Sequence, residues 1–392
     1  MKGVSTAGKA WVYFYRGKAW ELEDLRGTEL AAKKRFKEES AKRLRELYDQ
    51  GVPFFSKAVF RHVLDQLNHC RANPDPPSPH IISIPTLNDS AVECELETGV
   101  ATETDDKDVE LVIGHPHLHY RTFHHLTSPT DDIFWFSQTL AYAPTILEYP
   151  MAARHVSTGV IPPPDDSADA AQVREKLAKG IAAWEASAEC ARLRGVFEAG
   201  KIGRVTKIAA FACSTMAVKD DDRANPVAQH AAVLMLRELF ARRGAGEVRC
   251  LAQDPMYRPA DVEVLQELGV EVLEDPRGFL EVDEETVVVC VAPNVPVRQV
   301  VADIARPVAM VWGTVKGEVE AREWWERERP GQDLEGMYSG STDPDSPRLR
   351  DMVEKEYVEA WRFGDKGPFG RQAVYIRRAE KAEGPSMGNR NA

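Results

Sequence analysis

The stretch IAAFACSTMAV, Ile208 to Val218, decides how the chain is read. Ile208, Ala209, Ala210 and Phe211 run without a polar interruption into Ala212, Cys213, Ser214 and Thr215, all small. An uninterrupted apolar run of this kind is the pattern of a strand covered on both faces. A strand that ends in small residues ahead of a helix is where α/β sheets offer backbone N–H groups to a ligand. Glycine commonly serves there, because it turns tightly and lets a phosphate approach the backbone. No glycine stands here, and each Cβ holds a pyrophosphate further off. Two readings follow: a ligand turn in which Ser214 and Thr215 face a crevice, or a strand that merely turns.

The segments after it repeat one pattern. NPVAQHAAVLMLRELFARRG (225–244) predicts a helix with Asn225 as N-cap, Pro226 at its first position and Gly244 closing it. Its centre is apolar all round, so it should be buried against a sheet. VRCLAQDP is a second strand, ADVEVLQELG a helix stopped by Gly269, VEVL a third strand and TVVVCVAP a fourth. VPVRQVVADIARP is a helix and VAMVWG a fifth strand. Strands alternating with helices predict a parallel sheet with helices on both faces. Then come a polar helix, EVEAREWWERERP, and a helix begun by Ser346 and Pro347. YVEAWRF and RQAVYIRR read as a terminal hairpin. One helix is expected over 172–198 and the first strand over 207–213.

Upstream, WVYFYRGKAWELE reads as a hairpin about Arg16-Gly17-Lys18, and residues 29–49 as a charged amphipathic helix. Ser56 caps a second helix bearing Val59, Phe60, Val63 and Leu67. HIISIPTL is a short strand, and an acidic turn lies between two candidate strands in ELETGVATETDDKDVELVI. IFWFSQTLAYA is a buried aromatic segment. PPPDDSADAA (162–171) reads as a solvated linker. The expected division is an α+β N-terminal region over 1–171, an α/β domain over 172–378 and a disordered tail over 379–392. The N-terminal region carries too many aromatics to stay solvated, so it should pack on the sheet.

The bulk numbers bound the function. A net charge of −12 over 392 residues gives no footprint for nucleic acid or a membrane surface. No apolar run is long enough to span a bilayer. The six cysteines form no CxxC, and no apolar leader precedes them. They predict reduced thiols in a cytoplasmic or nuclear protein. Phosphate-loop, zinc-protease, nucleophile-elbow and kinase motifs are all absent.

Among chemistry-bearing residues, Asp254 ends the second strand, where a carboxylate can accept ribose hydroxyls. The usual interval from the turn is about 20 residues, and here it is about twice that. The alternative is a cap on the Asp254-Pro255 turn. Asn294 follows the fourth strand and either faces a substrate or caps the helix from Pro296. In HPHLHYRTFHH, His115, His117 and His119 alternate, which would put them on one strand face as zinc or copper ligands, or as a polar, partly exposed edge. Cys213, Cys250 and Cys290 read as small core residues. Of the adjoining Trp324 and Trp325, one should anchor its helix.

Residues 172–315 resemble the SRR-like domain, named for the plant "sensitivity to red light reduced" protein. KIAAFACST stands where that family has a strand ending in a glycine-leucine-glycine-serine turn. AQHAAVLMLREL resembles its glutamine-containing apolar helix, which matches Gln229. QDPMYRPADVEVLQELGVEVLED places Asp254, Pro255, Leu265, Leu268 and Gly269. VAPNVPVRQVV keeps Pro293 and Pro296, with Asn294 and Val295 where the family has histidine and cysteine. YDQGVPFFSKAVFRHVL, DPRGFLEVDEETVVV and DPDSPRLRDMVEKEY resemble the fungal branch. The resemblance implies an α/β, Rossmann-like doubly wound sheet and a regulatory role, in circadian or light response or general cell regulation, exerted through a partner or small ligand. The element order also resembles class I methyltransferases, which end in an antiparallel pair. That makes an S-adenosylmethionine-dependent enzyme the alternative, with Ser214, Thr215, Gln229, Asp254 and Asn294 as the crevice. A metal- or haem-handling protein using the histidine strand is the third expectation.

Overall fold

The computed structural model describes residues 28–73, 80–96, 98–129, 140–162, 167–219, 225–328 and 341–379. The hairpin expected at Arg16–Lys18, most of the aromatic segment 133–143, the middle of the linker and nearly all of the tail lie outside them.

Five strands form the parallel core: β8 (Lys207–Phe211), β9 (Arg249–Gln253), β10 (Val270–Val272), β11 (Thr286–Cys290) and β12 (Ala309–Gly313). The hairpin β13 (Tyr357–Arg362) and β14 (Gln372–Arg377) completes a seven-stranded sheet in the order β10-β9-β8-β11-β12-β14-β13. β14 pairs antiparallel with β12, Met310 opposite Tyr375. β8 lies between β9 and β11, so the chain winds outward from it first one way and then the other.

The strand residues divide by parity, as the pleat requires. Ile208 and Ala210 face a layer built from α4 (Ala170–Glu185), α5 (Ala188–Ala199), α6 (Asn225–Phe240) and α7 (Pro259–Glu267). Ala209 and Phe211 face the other layer, with α8 (Arg277–Glu281), α9 (Val297–Ile304) and α11 (Pro347–Glu356). Every residue of β11 is buried, which accounts for its unbroken run of β-branched residues. α6 buries nearly its whole circumference, as its apolar centre requires. Beyond it a π-helical turn carries the chain to Gly244, whose φ of 88° ends the helix. α10 (Glu318–Glu328) is held by buried Trp325.

The N-terminal region packs on the second layer. α1 (Thr28–Asp49) and α2 (Lys57–Ala72) precede the antiparallel pair β1 (Ile81–Pro85) and β2 (Ala91–Glu95). β3 (Ala101–Glu103), β4 (Val109–Ile113) and β7 (Met151–His155) form a small sheet. β5 (His117–Tyr120) pairs with β6 (Thr145–Glu148), and the short α3 (Phe123–Thr127) follows β5. Phe60 and Tyr120 meet Phe279 of α8, which stacks on Phe211 with ring centroids 4.8 Å apart. Asp303 accepts the N–H groups of Phe54 and Phe55 at 2.8 and 3.0 Å, and Arg348 bonds the carbonyls of Tyr48 and Val52 at 3.0 Å each.

Two sequence expectations need correction. The helix expected over 172–198 is two helices, because Ser187 donates to Trp184 O and accepts the N–H of Cys190, which ends α4 and caps α5. The first strand stops at Phe211, since Ala212 and Ser214 have φ of 56° and 62° and cannot continue a ladder. α8 was not anticipated from the sequence; its five residues are too few for a helical period to register. Among the described residues no helix is long and apolar enough to cross a membrane.

Candidate functional site

The carboxyl ends of the parallel strands gather Ser214, Thr215, Asp254 and Asn294. At β8 the turn is tied down by two carboxylates. Asp254 accepts the N–H of Ser214 on Oδ2 at 2.7 Å and that of Met256 on Oδ1 at 2.8 Å. Burial pushes its carboxyl up, and the two N–H donors partly oppose that. Asp261, at the start of α7 and fully buried, accepts the Thr215 hydroxyl at 2.5 Å and the N–H groups of Met216 and Arg258 at 2.8 Å. Thr215 in turn accepts the N–H of Ala217 at 3.0 Å. The left-handed backbone at Ser214, unusual for a residue with a Cβ, is thereby held by the Asp254 carboxylate, and Ala212, also left-handed, donates its N–H to Gln253 O at 3.4 Å.

Thr215 is consequently buried within the turn and does not present its hydroxyl to a crevice. Gln229 is also elsewhere. It sits in the buried face of α6, and its Nε2 donates to Pro368 O at 3.2 Å, between β13 and β14. Ser214 is half-buried and Asn294 exposed. Asn294 does not cap α9, whose N-cap position is Pro296 with no side-chain bond.

Asn294 instead lines a cavity of about 380 Å³ at the ends of β11 and β12, walled by Cys290–Asn294, Arg298, Gly313 and Ser341–Asp343. Arg298 organises it. Its N–H and Nε donate to Asp343 Oδ2 at 3.1 and 3.0 Å, and its Nη1 to Asp345 Oδ1 at 2.6 Å and Gly313 O at 3.3 Å. Its Nη2 donates to the carbonyl of Asp343. The sequence reading missed Arg298, Asp343 and Asp345. The only signal was their charge in segments flanking apolar runs, which does not distinguish a site from a solvated face.

A second polar group stands where β9 ends. Tyr120 donates its hydroxyl to Asp275 Oδ1 at 2.7 Å, which also receives Gln253 Nε2 at 2.8 Å, while Gln253 Oε1 accepts the N–H of Gly278 at 2.7 Å. Burial pushes the Asp275 carboxyl up to about 6 despite these donors. The N-terminal region thus reaches the carboxyl end of β9.

The histidine strand is only partly assembled. His117 Nε2 and His119 Nδ1 both lie against Glu148 Oε2, at 3.4 and 3.3 Å. His115 is exposed ahead of β5, outside this cluster. Among the described residues no set of three or more histidine, cysteine, aspartate or glutamate side chains is disposed to hold a metal ion. The alternation puts His117 and His119 on one face, but the strand begins too late to bring His115 with them. Cys213, Cys250 and Cys290 are buried and free, and burial pushes their thiols up.

No curated protein and no solved structure matches the chain significantly. Residues 197–350 match the family model described as the SRR1 domain. The match runs from the end of α5 into α11, taking in all five parallel strands and both carboxylates of the β8 turn. Residues 197–350 therefore carry an SRR1 domain, which forms the parallel core of the sheet.

Proposed function

We propose that the protein is a regulatory module, Rossmann-like and doubly wound, that acts by binding a partner or small ligand and catalyses no reaction at the β8 turn. The observation that carries this reading is the engagement of Asp254. Both its oxygens close backbone N–H groups of its own chain, so the carboxylate that would accept ribose hydroxyls is part of the turn. The engagement of Thr215 by Asp261 supports the same conclusion. The role is of the kind the SRR-like resemblance implies, in circadian, light-response or general cell regulation, and in the cytoplasm or nucleus.

The alternative, an S-adenosylmethionine-dependent methyltransferase-like enzyme, is favoured by one observation: the sheet order, with its reversed final pair, is the one such enzymes use. Fold alone does not carry chemistry. Calorimetric titration with S-adenosylmethionine and S-adenosylhomocysteine, with Asp254→Ala in parallel, separates the two. The regulatory reading expects no heat and no thermal shift. Micromolar binding weakened by Asp254→Ala tenfold, about 1.4 kcal/mol, would overturn it in favour of the enzyme.

A further inference from the structure

We infer that the cavity at the ends of β11 and β12 is a binding site for a small organic cation bearing a primary ammonium group. The inference stands apart from the function proposed above, because it uses neither the β8 turn nor Asp254.

One residue of the cavity wall carries a buried acceptor without a donor. Asp343 is only 4 % exposed and lines the cavity. Its Oδ2 takes two hydrogen bonds from Arg298, whereas its Oδ1 is buried and has no partner. Beside it, Gln372 is 7 % exposed; its Nε2 donates to Val291 O at 2.8 Å, and its Oε1 is likewise buried without a partner. Val291 lines the cavity, and Gln372 stands opposite Gly313, another lining residue, in the β12–β14 register. Buried polar atoms are nearly always paired, and an unpaired acceptor on a residue of the cavity wall, with a second behind that wall, asks for a donor.

The donors of Thr342 and Arg298 are already engaged. Thr342 gives its hydroxyl proton to Pro293 O. Arg298 directs its donors to two carboxylates and two carbonyls. One guanidinium, that of Arg298, pairs with both the Asp343 and the Asp345 carboxylates. Burial pushes the Asp343 carboxyl up even beside Arg298, so a second cation near Oδ1 would stabilise its ionised form. An anion would be placed against the unpaired Asp343 carboxylate oxygen. An ammonium brings three donors and a positive charge. The volume of about 380 Å³ lies at the small end of ligand sites, which suits a compact amine. The exposed amide of Asn294 stands at the wall as a further acceptor.

The test is calorimetry on the full chain with n-butylammonium and putrescine, against tetramethylammonium, a cation without N–H groups, and neutral 1,4-butanediol. The two primary amines are expected to bind and the controls to fail. Asn294→Asp adds a carboxylate at an exposed position without touching Arg298, and should tighten the amines at least threefold. Asp343→Asn should weaken them at least tenfold. If Asp343→Asn does not fold, the Asn294→Asp result and the ligand series decide alone. Amines that give no heat at millimolar concentration overturn the inference. So does equal binding of butanediol or tetramethylammonium, or affinity indifferent to Asn294→Asp.

Discussion

Replacing Asp261 by alanine removes one buried side chain and leaves three donors without their acceptor. The Thr215 hydroxyl and the N–H of Met216 are both buried, and no other acceptor is bonded to them. The N–H of Arg258 opens α7 and is half-buried, so water can replace the carboxylate there. Each buried donor left unpaired costs about 1–3 kcal/mol. The gain in helix propensity on going to alanine returns only a few tenths. The expected loss is therefore about 2–5 kcal/mol, a large share of the 5–15 kcal/mol typical of folded domains. Urea unfolding followed by tryptophan fluorescence and far-ultraviolet circular dichroism reads it, as a lowered midpoint at unchanged slope. Glu263→Ala on the same helix is the control. Its carboxylate meets only Arg174 at the surface, so it should cost no more than about 0.5 kcal/mol. An Asp261→Ala loss below about 1 kcal/mol, comparable to the control, would refute the claim that this carboxylate holds the β8 turn.

Two glycines should respond in opposite senses. A Cβ at Gly278 would lie 2.6 Å from Gln253 Oε1 and 2.9 Å from the Phe211 ring, so Gly278→Ala should cost about 1–3 kcal/mol by overpacking, seen as a lowered Tm. Gly195, inside α5, has nothing within 4 Å of its would-be Cβ, and Gly195→Ala should stabilise by about 0.5–1 kcal/mol; a lowered Tm there would contradict the packing described. Burial alone would raise the Glu148 carboxyl, but hydrogen bonds from His117 and His119 outweigh it and hold it at about 2, below its ordinary 4.5. A depressed folded-state value means stability present above pH 4.5 and lost as the pH falls from there toward 2. Discounted for the half-exposed histidines, about 1–2 kcal/mol should separate wild type from Glu148→Gln at neutral pH, and the difference should close across that window in urea melts. A gap unchanged down to pH 2 would show that the two imidazoles do not hold the carboxylate.

The alternation of strand and helix from β8 to β12, the terminal hairpin, the burial of α6 and the glycine stops at Gly244 and Gly269 were all readable in the chain. Each rests on a periodicity or a local steric preference, and residues a few positions apart contain that information. FACST, by the same logic, was legible as a turn at the end of a central strand. What the turn does was not legible. Asp254 and Asp261 are ligand groups if they face solvent and structural groups if backbone N–H donors reach them first. That is decided by how the end of β9 and the start of α7, 40 and more residues away along the chain, meet the turn after β8. Gln229 and the crevice were separated by the helix's rotation on the sheet, and His115 from its neighbours by where β5 begins. The cavity is the clearest case. Asn294, Arg298 and Asp343 converge only because the segment before α11 folds back over the end of β11. Hydrogen-bond partners and charge balance depend on distance in space, and only the packed chain sets that distance.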